Sequence, residues 1–289
     1  MTSLTVPVLD GAGALLARYE AIFCDVWGVV HNGVQAYPAA GEALARFRSG
    51  GGTVVLLSNA PTPSGTVAAL LDQKGVRRDA WDALVTSGDI TRAHVRAQGY
   101  QRIHHIGVAR DLPLFEGLAT SHAPLADADA IVCTGLVDDL AETGETYRPM
   151  MEQALARALP LICANPDLVV EVGGVLYPCA GAIAAVYEQI GGPVFWAGKP
   201  HTAAYEMALA TAERLMGRQL ARRSILGIGD AIRTDVAGAE GFGIDALFIA
   251  GGIHREEIMC GDSIISDRLQ RLVLPPAPRP LAAMAELVW

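Results

Sequence analysis

The sequence predicts an α/β fold, a doubly wound parallel-sheet core with a second α/β segment inserted into it. Strand-length apolar runs alternate with amphipathic, helix-length segments along most of the chain, an order that implies parallel sheets. Four of the runs end in polar residues, which a parallel sheet would bring to one edge. At 289 residues the chain is also long for a single core, so two compact units are expected.

The first strand is Ile22-Phe23-Cys24, closed by Asp25 and followed by Val26-Trp27-Gly28-Val29-Val30-His31-Asn32-Gly33, whose glycines allow a sharp turn. Tyr37-Pro38-Ala39-Ala40-Gly41 opens a helix to about Arg48 with Ala43, Leu44 and Phe47 at helical spacing, and Gly50-Gly51-Gly52 breaks it. A second strand over 53–57 ends in Ser58-Asn59-Ala60-Pro61, and Pro63 begins a helix carrying Val67, Leu70 and Leu71. Strands at 83–86, 102–107, 129–133 and 159–164 follow, with helices at 89–97 and 147–158. A strand at 194–197 leads into Gly198-Lys199-Pro200 and a helix over 201–216; the strand 225–229 then ends in Asp230, where the next helix starts. The last strand, 246–250, stops at Gly251-Gly252. Residues 274–280 are proline-rich and extended, and 281–289 read as a short helix that packs on the body. The middle segment lies between two groups of chemically suggestive residues, and insertions enter at surface loops, so 87–193 is assigned to an inserted domain and 1–86 with 194–289 to the core.

Composition narrows the function classes. With 22 basic and 31 acidic residues the net charge is −9, and no basic face is available for a nucleic-acid backbone. The five cysteines are scattered without Cys-x-x-Cys spacing and read as buried apolar groups in a reducing compartment. The first twenty residues lack the basic start and apolar core of a secretory signal, and no run approaches the roughly 20 apolar residues of a membrane span, so a cytoplasmic, soluble protein without a membrane partner is expected.

The four polar strand ends are Asp25, Ser58-Asn59, Lys199, and Asp230 with Asp235. Together they suggest phosphoryl transfer. Asp25 and Asp230 suit Mg²⁺, which takes oxygen ligands and is usually held by one or two carboxylates plus substrate phosphate. Lys199 would offset phosphate charge, and the Ser58 hydroxyl would donate to a phosphate oxygen. Each residue also has a plainer reading: Asp25 as a strand-end turn residue, Asp230 as a helix N-cap, Asp235 as a solvent-facing aspartate or partner of Arg233, and Asn59 as a turn builder before Pro61.

In their order and intervals these residues resemble the haloacid dehalogenase (HAD) superfamily, and within it the NagD-like subclass IIA. The segments that carry the resemblance are those around Asp25, Leu56-Leu57-Ser58-Asn59, Gly198-Lys199-Pro200 and Gly229-Asp230-Ala231-Ile232-Arg233-Thr234-Asp235. Cys163-Ala164-Asn165-Pro166-Asp167 and Tyr177-Pro178-Cys179-Ala180-Gly181-Ala182 resemble segments of that subclass's inserted cap. The resemblance implies a Rossmann-like core with an α/β cap, and a Mg²⁺-dependent hydrolase of a small phosphorylated metabolite. Asp25 would be the nucleophile that forms an aspartyl-phosphate, with Ser58 and Lys199 positioning the phosphoryl group. Asp25, Asp230, Asp235 and the backbone carbonyl of Trp27 would bind the metal, and Asn59, Trp27, Asn165 and Asp167 would face the substrate. Assembly into a homo-oligomer is left open.

Trp27 departs from the family pattern. Phosphatases of the superfamily carry a second aspartate two residues after the nucleophile, which protonates the leaving oxygen and later activates water, and indole has no group that titrates near neutral pH. An atypical or slow hydrolase is therefore expected; a catalytically silent phospho-ligand-binding or regulatory protein, and non-phosphatase chemistry of the HAD type, are the alternatives. His31 is either a substitute acid or a turn histidine.

Overall fold

The computed structural model describes residues 5–172 and 175–289. Its contacts divide the chain into two compact units: the described part of Met1–Ser58 with Ala68–Val85 and Lys199–Trp289, and Asn59–Val67 with Thr86–Gly198. Along the chain the strands are β1 (Ala21–Cys24), β2 (Thr53–Ser58), β3 (Ala83–Thr86), β4 (Arg102–Ile106), β5 (Ser121–His122), β6 (Ala130–Cys133), β7 (Leu161–Cys163), β8 (Val169–Val172), β9 (Val175–Pro178) and β10 (Val194–Trp196). Then follow β11 (Ile225–Gly229), β12 (Asp245–Ile249), β13 (Met259–Cys260), β14 (Ser263–Ile264) and β15 (Ala282–Met284).

The first unit is built on a six-stranded sheet in the order β15-β12-β11-β1-β2-β3. β1 lies between β11 and β2 and is parallel to both, with Phe23 level with Gly227 and Val55. Ile22, Cys24, Val54, Val55 and Leu56 have no exposed surface, which is why these strands read as continuous apolar runs rather than alternating ones. The helix Pro38–Ser49 buries Ala43, Leu44 and Phe47, and Thr202–Met216 packs on β2 and buries Ala204, Tyr205 and Ala208. The chain starts the sheet at β1, extends it through β2 on one side, and later adds β11 on the other. That reversal makes the carboxyl ends of β1 and β11 a topological switch point, the usual place for a ligand in an open α/β sheet.

The second unit has its own five-stranded parallel sheet, β10-β7-β6-β4-β5, and a β8–β9 antiparallel hairpin. Its core gathers Ile131, Tyr147, Met151, Leu161 and Tyr187. The helix Ser87–Gln98 starts in a capping box: Thr86 Oγ1 accepts from Asp89 N at 3.1 Å, and Asp89 Oδ2 accepts from Thr86 N at 3.2 Å. The same hydroxyl donates to Thr62 O at 2.7 Å and is fully buried. Thr86→Ala therefore strands buried polar groups as well as the helix start, and we expect a loss of about 1–2 kcal/mol in urea unfolding followed by circular dichroism. A midpoint equal to the parent's would show that the cap carries no stability.

The expected helix over 281–289 does not form. Ala282, Ala283 and Met284 instead pair with Leu247, Phe248 and Ile249 as β15, all three at most 3% exposed. Nine residues are too few for a stable isolated helix, whereas the edge of β12 offers a row of unpaired backbone groups. Cys24, Cys133, Cys163 and Cys179 are buried free thiols, and Cys260 is exposed. No helix among the described residues is long and apolar enough to cross a membrane.

Candidate active site

Four of the sequence-selected residues meet at the β1/β11 switch point. Asp25 N donates to Ile228 O at 2.7 Å, continuing the strand ladder one residue past β1 and fixing where the carboxylate emerges. Asp230 directly follows β11, and its Oδ2 accepts from Ile253 N at 2.8 Å. Asp235 comes from a π-helical turn, Ile232–Val236, in which Asp235 N and Val236 N both donate to Ala231 O. The wide turn folds Asp235 back over Gly229, where a Cβ would lie 2.1 Å from the carboxylate carbon. Lys199 Nζ then bridges two of the acids, donating to Asp25 Oδ1 at 2.5 Å and Asp235 Oδ1 at 2.7 Å. None of the four is more than 8% exposed.

Burying three carboxylates around one ammonium has electrostatic consequences. Burial, followed by repulsion from Asp235, raises the Asp25 carboxyl to about 7 despite Lys199. Burial and repulsion from Asp25 and Asp235 push Asp230 well above the usual carboxylate range. Burial alone would lower Lys199, but Asp235 and Asp25 overcome it and hold the ammonium protonated. The cluster is short of positive charge. One oxygen from each of Asp25, Asp230 and Asp235 lies within 4.8 Å of the others, a spacing compatible with a single cation. The space around Asp230 is kept by glycine: at Gly28, φ +78°, a Cβ would sit 2.0 Å from Asp230 Oδ2, and at Gly252 1.9 Å.

Trp27 is half-buried on the turn after Asp25. A Cβ at Gly33, φ +86°, would fall 2.4 Å from Trp27 Cη2, so the indole lies directly on that backbone, and the His31 ring meets it edge-on with centroids 5.1 Å apart. His31 is a buried turn histidine: it is 2% exposed, and its Nδ1 accepts from Gly33 N at 2.8 Å. Burial, aided by the Lys74 charge, lowers it to about 4 and keeps it neutral. Of its two sequence readings, substitute acid and turn residue, this geometry supports the second.

Ser58 closes β2, the strand beside β1, so it lies on the same sheet edge as Asp25. Asn59, Asn165 and Asp167 come together within the second unit: Asn59 Nδ2 donates to Asp167 Oδ1 at 2.9 Å, and Asp167 N donates to Asn165 Oδ1 at 3.1 Å. Ser87 Oγ adds a longer contact to Asn59 Oδ1, 3.4 Å. The expectation that Asp235 pairs with Arg233 or faces solvent is replaced by its burial against Lys199.

Two contributors were not selected from the sequence. The Ile253 amide, on the loop after β12, orients Asp230; the Gly251-Gly252 pair at a strand end was the available signal. Tyr205, 2% exposed, donates to the Asp235 backbone carbonyl at 3.1 Å, and nothing in its helical spacing separates it from an ordinary core tyrosine.

Comparison with known proteins gives a consistent picture. A family model for haloacid dehalogenase-like hydrolases matches residues 22–119, and one for HAD-hydrolase-like proteins matches 196–270. The chain is 27% identical over 241 residues to the ribonucleotide monophosphatase NagD of Escherichia coli K12, covering 80% of this chain and 88% of that protein. The crystal structure of a haloacid dehalogenase-like hydrolase from Brucella suis 1330 superposes with a TM-score of 0.85 at 43% identity, over 97% of this chain and 100% of that one. A 4-nitrophenylphosphatase from Thermotoga maritima shares the fold, with a TM-score of 0.71 at 22% identity over 94% of this chain and 96% of that one.

Proposed function

We propose that this chain, which belongs to the haloacid dehalogenase superfamily of phosphatase-like hydrolases in its NagD-like branch, hydrolyses small phosphorylated metabolites through an aspartyl-phosphate on Asp25. The observation that carries the reading is the buried Asp25, bridged by Lys199 to Asp235 beside Asp230 at the sheet's switch point. An Asp25 carboxylate oxygen attacks phosphorus, the bond to the leaving oxygen breaks, and water then attacks the aspartyl-phosphate, restoring the carboxylate and releasing phosphate. Lys199 orients Asp25 and offsets phosphoryl charge, and Ser58 donates to a phosphoryl oxygen. Trp27, Asn59, Asn165 and Asp167 contact the substrate, and residues 87–193 form the cap that selects it. The buried thiols are in keeping with a cytoplasmic location.

The charge deficit of the cluster and the glycine-kept space around Asp230 suit a hard divalent cation. Asp25, Asp230 and Asp235, with the Trp27 carbonyl, would hold Mg²⁺, which would supply positive charge to offset that of a bound phosphoryl group. Binding that favours the folded state adds about 2.7 kcal/mol of stability at a hundredfold excess over Kd. We therefore expect Mg²⁺ to raise the thermal midpoint of the parent, Asp230→Asn to lose that shift, and Gly28→Ala to raise the Mg²⁺ needed for it by about 10- to 100-fold. An equal shift in Asp230→Asn would remove that residue from the metal set.

Trp27 favours one second reading, a protein that binds phosphorylated ligands without turning them over. Phosphate release from a phosphate-ester panel with Mg²⁺, compared between the parent and Asp25→Asn, separates the two: turnover that depends on Asp25 eliminates the silent protein. Ligand binding by calorimetry without turnover supports it.

A further inference from the structure

The environment of Asp25 points to a leaving-group class, on the premise that Asp25 is the phosphoryl acceptor as proposed above. We propose that the site takes phosphoryl groups from donors whose leaving group departs as a stable anion, namely acyl, enol and aryl phosphates, and that it is slow toward alkyl phosphates.

When the bond from phosphorus to the leaving oxygen breaks, the electron pair stays on oxygen. An alkoxide must take up a proton as it departs, whereas a carboxylate, enolate or phenolate need not. Among the described residues of this unit, the protic side chains hydrogen-bonded around Asp25 each have a partner. Lys199 donates to Asp25 and Asp235. Cys24 Sγ donates to the Asp25 carbonyl at 3.1 Å, and Tyr205 donates to the Asp235 carbonyl at 3.1 Å. Asp230 and Asp235 belong to the cation set proposed above, where Asp230 accepts from Ile253 N and Asp235 from Ala231 N and Lys199. His31, 2% exposed, is held in its turn with Nδ1 accepting from Gly33.

That leaves Trp27. An indole N–H can donate a hydrogen bond to a developing anion but has no proton to transfer. Its ring is laid on the Gly33 backbone and met edge-on by the His31 ring. In the resulting step an Asp25 oxygen bonds to phosphorus, the leaving oxygen departs with its electron pair unprotonated, and the negative charge passes to product. Water then cleaves the aspartyl-phosphate, giving phosphate and one proton to solvent. An arrangement of this kind suits substrates that carry their own reactivity.

The test is a leaving-group series on the full chain with Mg²⁺: acetyl phosphate, substituted phenyl phosphates from electron-poor to electron-rich, and glycerol phosphate, each rate taken over that of Asp25→Asn. We expect kcat/KM to fall steadily as the leaving group becomes more basic, by about 10² to 10⁴ from the acyl and electron-poor aryl donors to the alkyl donor. Comparable rates for acetyl phosphate and electron-poor aryl phosphates assign the preference to anion stability, whereas activity confined to aryl donors would assign it to ring binding and overturn the proposal. Alkyl and activated donors turned over within tenfold of each other would also overturn it while leaving the Asp25 hydrolase intact. No Asp25-dependent release from any donor, acetyl phosphate included, would instead refute the hydrolase reading on which this one rests.

Discussion

Asp25→Asn should lower kcat/KM for every phosphorylated substrate by at least about 10⁴-fold, because an amide oxygen is not a nucleophile able to form the acyl-phosphate. The substitution keeps the shape of the side chain, so the loss should come without unfolding. It removes one of two carboxylates hydrogen-bonded to Lys199, but it also removes the charge that Asp230 and Asp235 repel. These effects oppose one another, and the thermal midpoint should move little. The nucleophile can be checked independently by mass spectrometry of protein quenched in acid during turnover, where the parent should gain one phosphoryl group and Asp25→Asn none. Turnover by Asp25→Asn within tenfold of the parent would place the reacting group elsewhere.

Trp27→Asp should have the opposite sign. A carboxylic acid two residues beyond the nucleophile can protonate a departing alkoxide and then take a proton from the attacking water. General acid-base catalysis of this kind is worth typically about 10² to 10⁴ in rate. Glycerol phosphate should therefore gain most, and the activated donors little, since their leaving groups have no need of a proton. The exchange has a stability cost, because the indole's contacts with the Gly33 backbone and the His31 ring are lost; for a half-buried tryptophan we expect about 1–3 kcal/mol. It also sets a fourth carboxylate beside three buried ones, so the gain should be largest at high Mg²⁺, where the cation offsets the added charge. A folded Trp27→Asp protein with no gain on alkyl phosphates would mean that the indole is not what limits ester hydrolysis.

The α/β class and the strands that carry Asp25, Ser58 and Asp230 were legible because parallel strands buried on both faces leave continuous apolar runs, and because core packing gives no reason for a polar residue to close such a run. The same signal fails for short or half-exposed strands. Ser121–His122, Met259–Cys260 and Ser263–Ile264 are two residues each, and their sequences carry no period at all. At the C-terminus local propensity pointed the wrong way: Leu281-Ala282-Ala283-Met284-Ala285 is good helix sequence, yet β12 needed an edge partner, and only the tertiary fold creates that need.

For the site the division is similar. The residue types and their order along the chain, from Asp25 through Ser58 and Lys199 to Asp230 and Asp235, were determined by sequence alone, as was the indole at position 27. Tertiary structure decided how they are used. It shared Lys199 between Asp25 and Asp235, carried Asp235 back over Gly229 on a π-helical turn, aimed the Ile253 amide at Asp230, and buried His31 as a turn acceptor. Those outcomes depend on distances between residues far apart in the chain, and on the low dielectric of a buried cluster, neither of which is written in any local stretch. A sequence names the groups at a strand end, while packing sets which of them share a proton, a cation or a hydrogen bond.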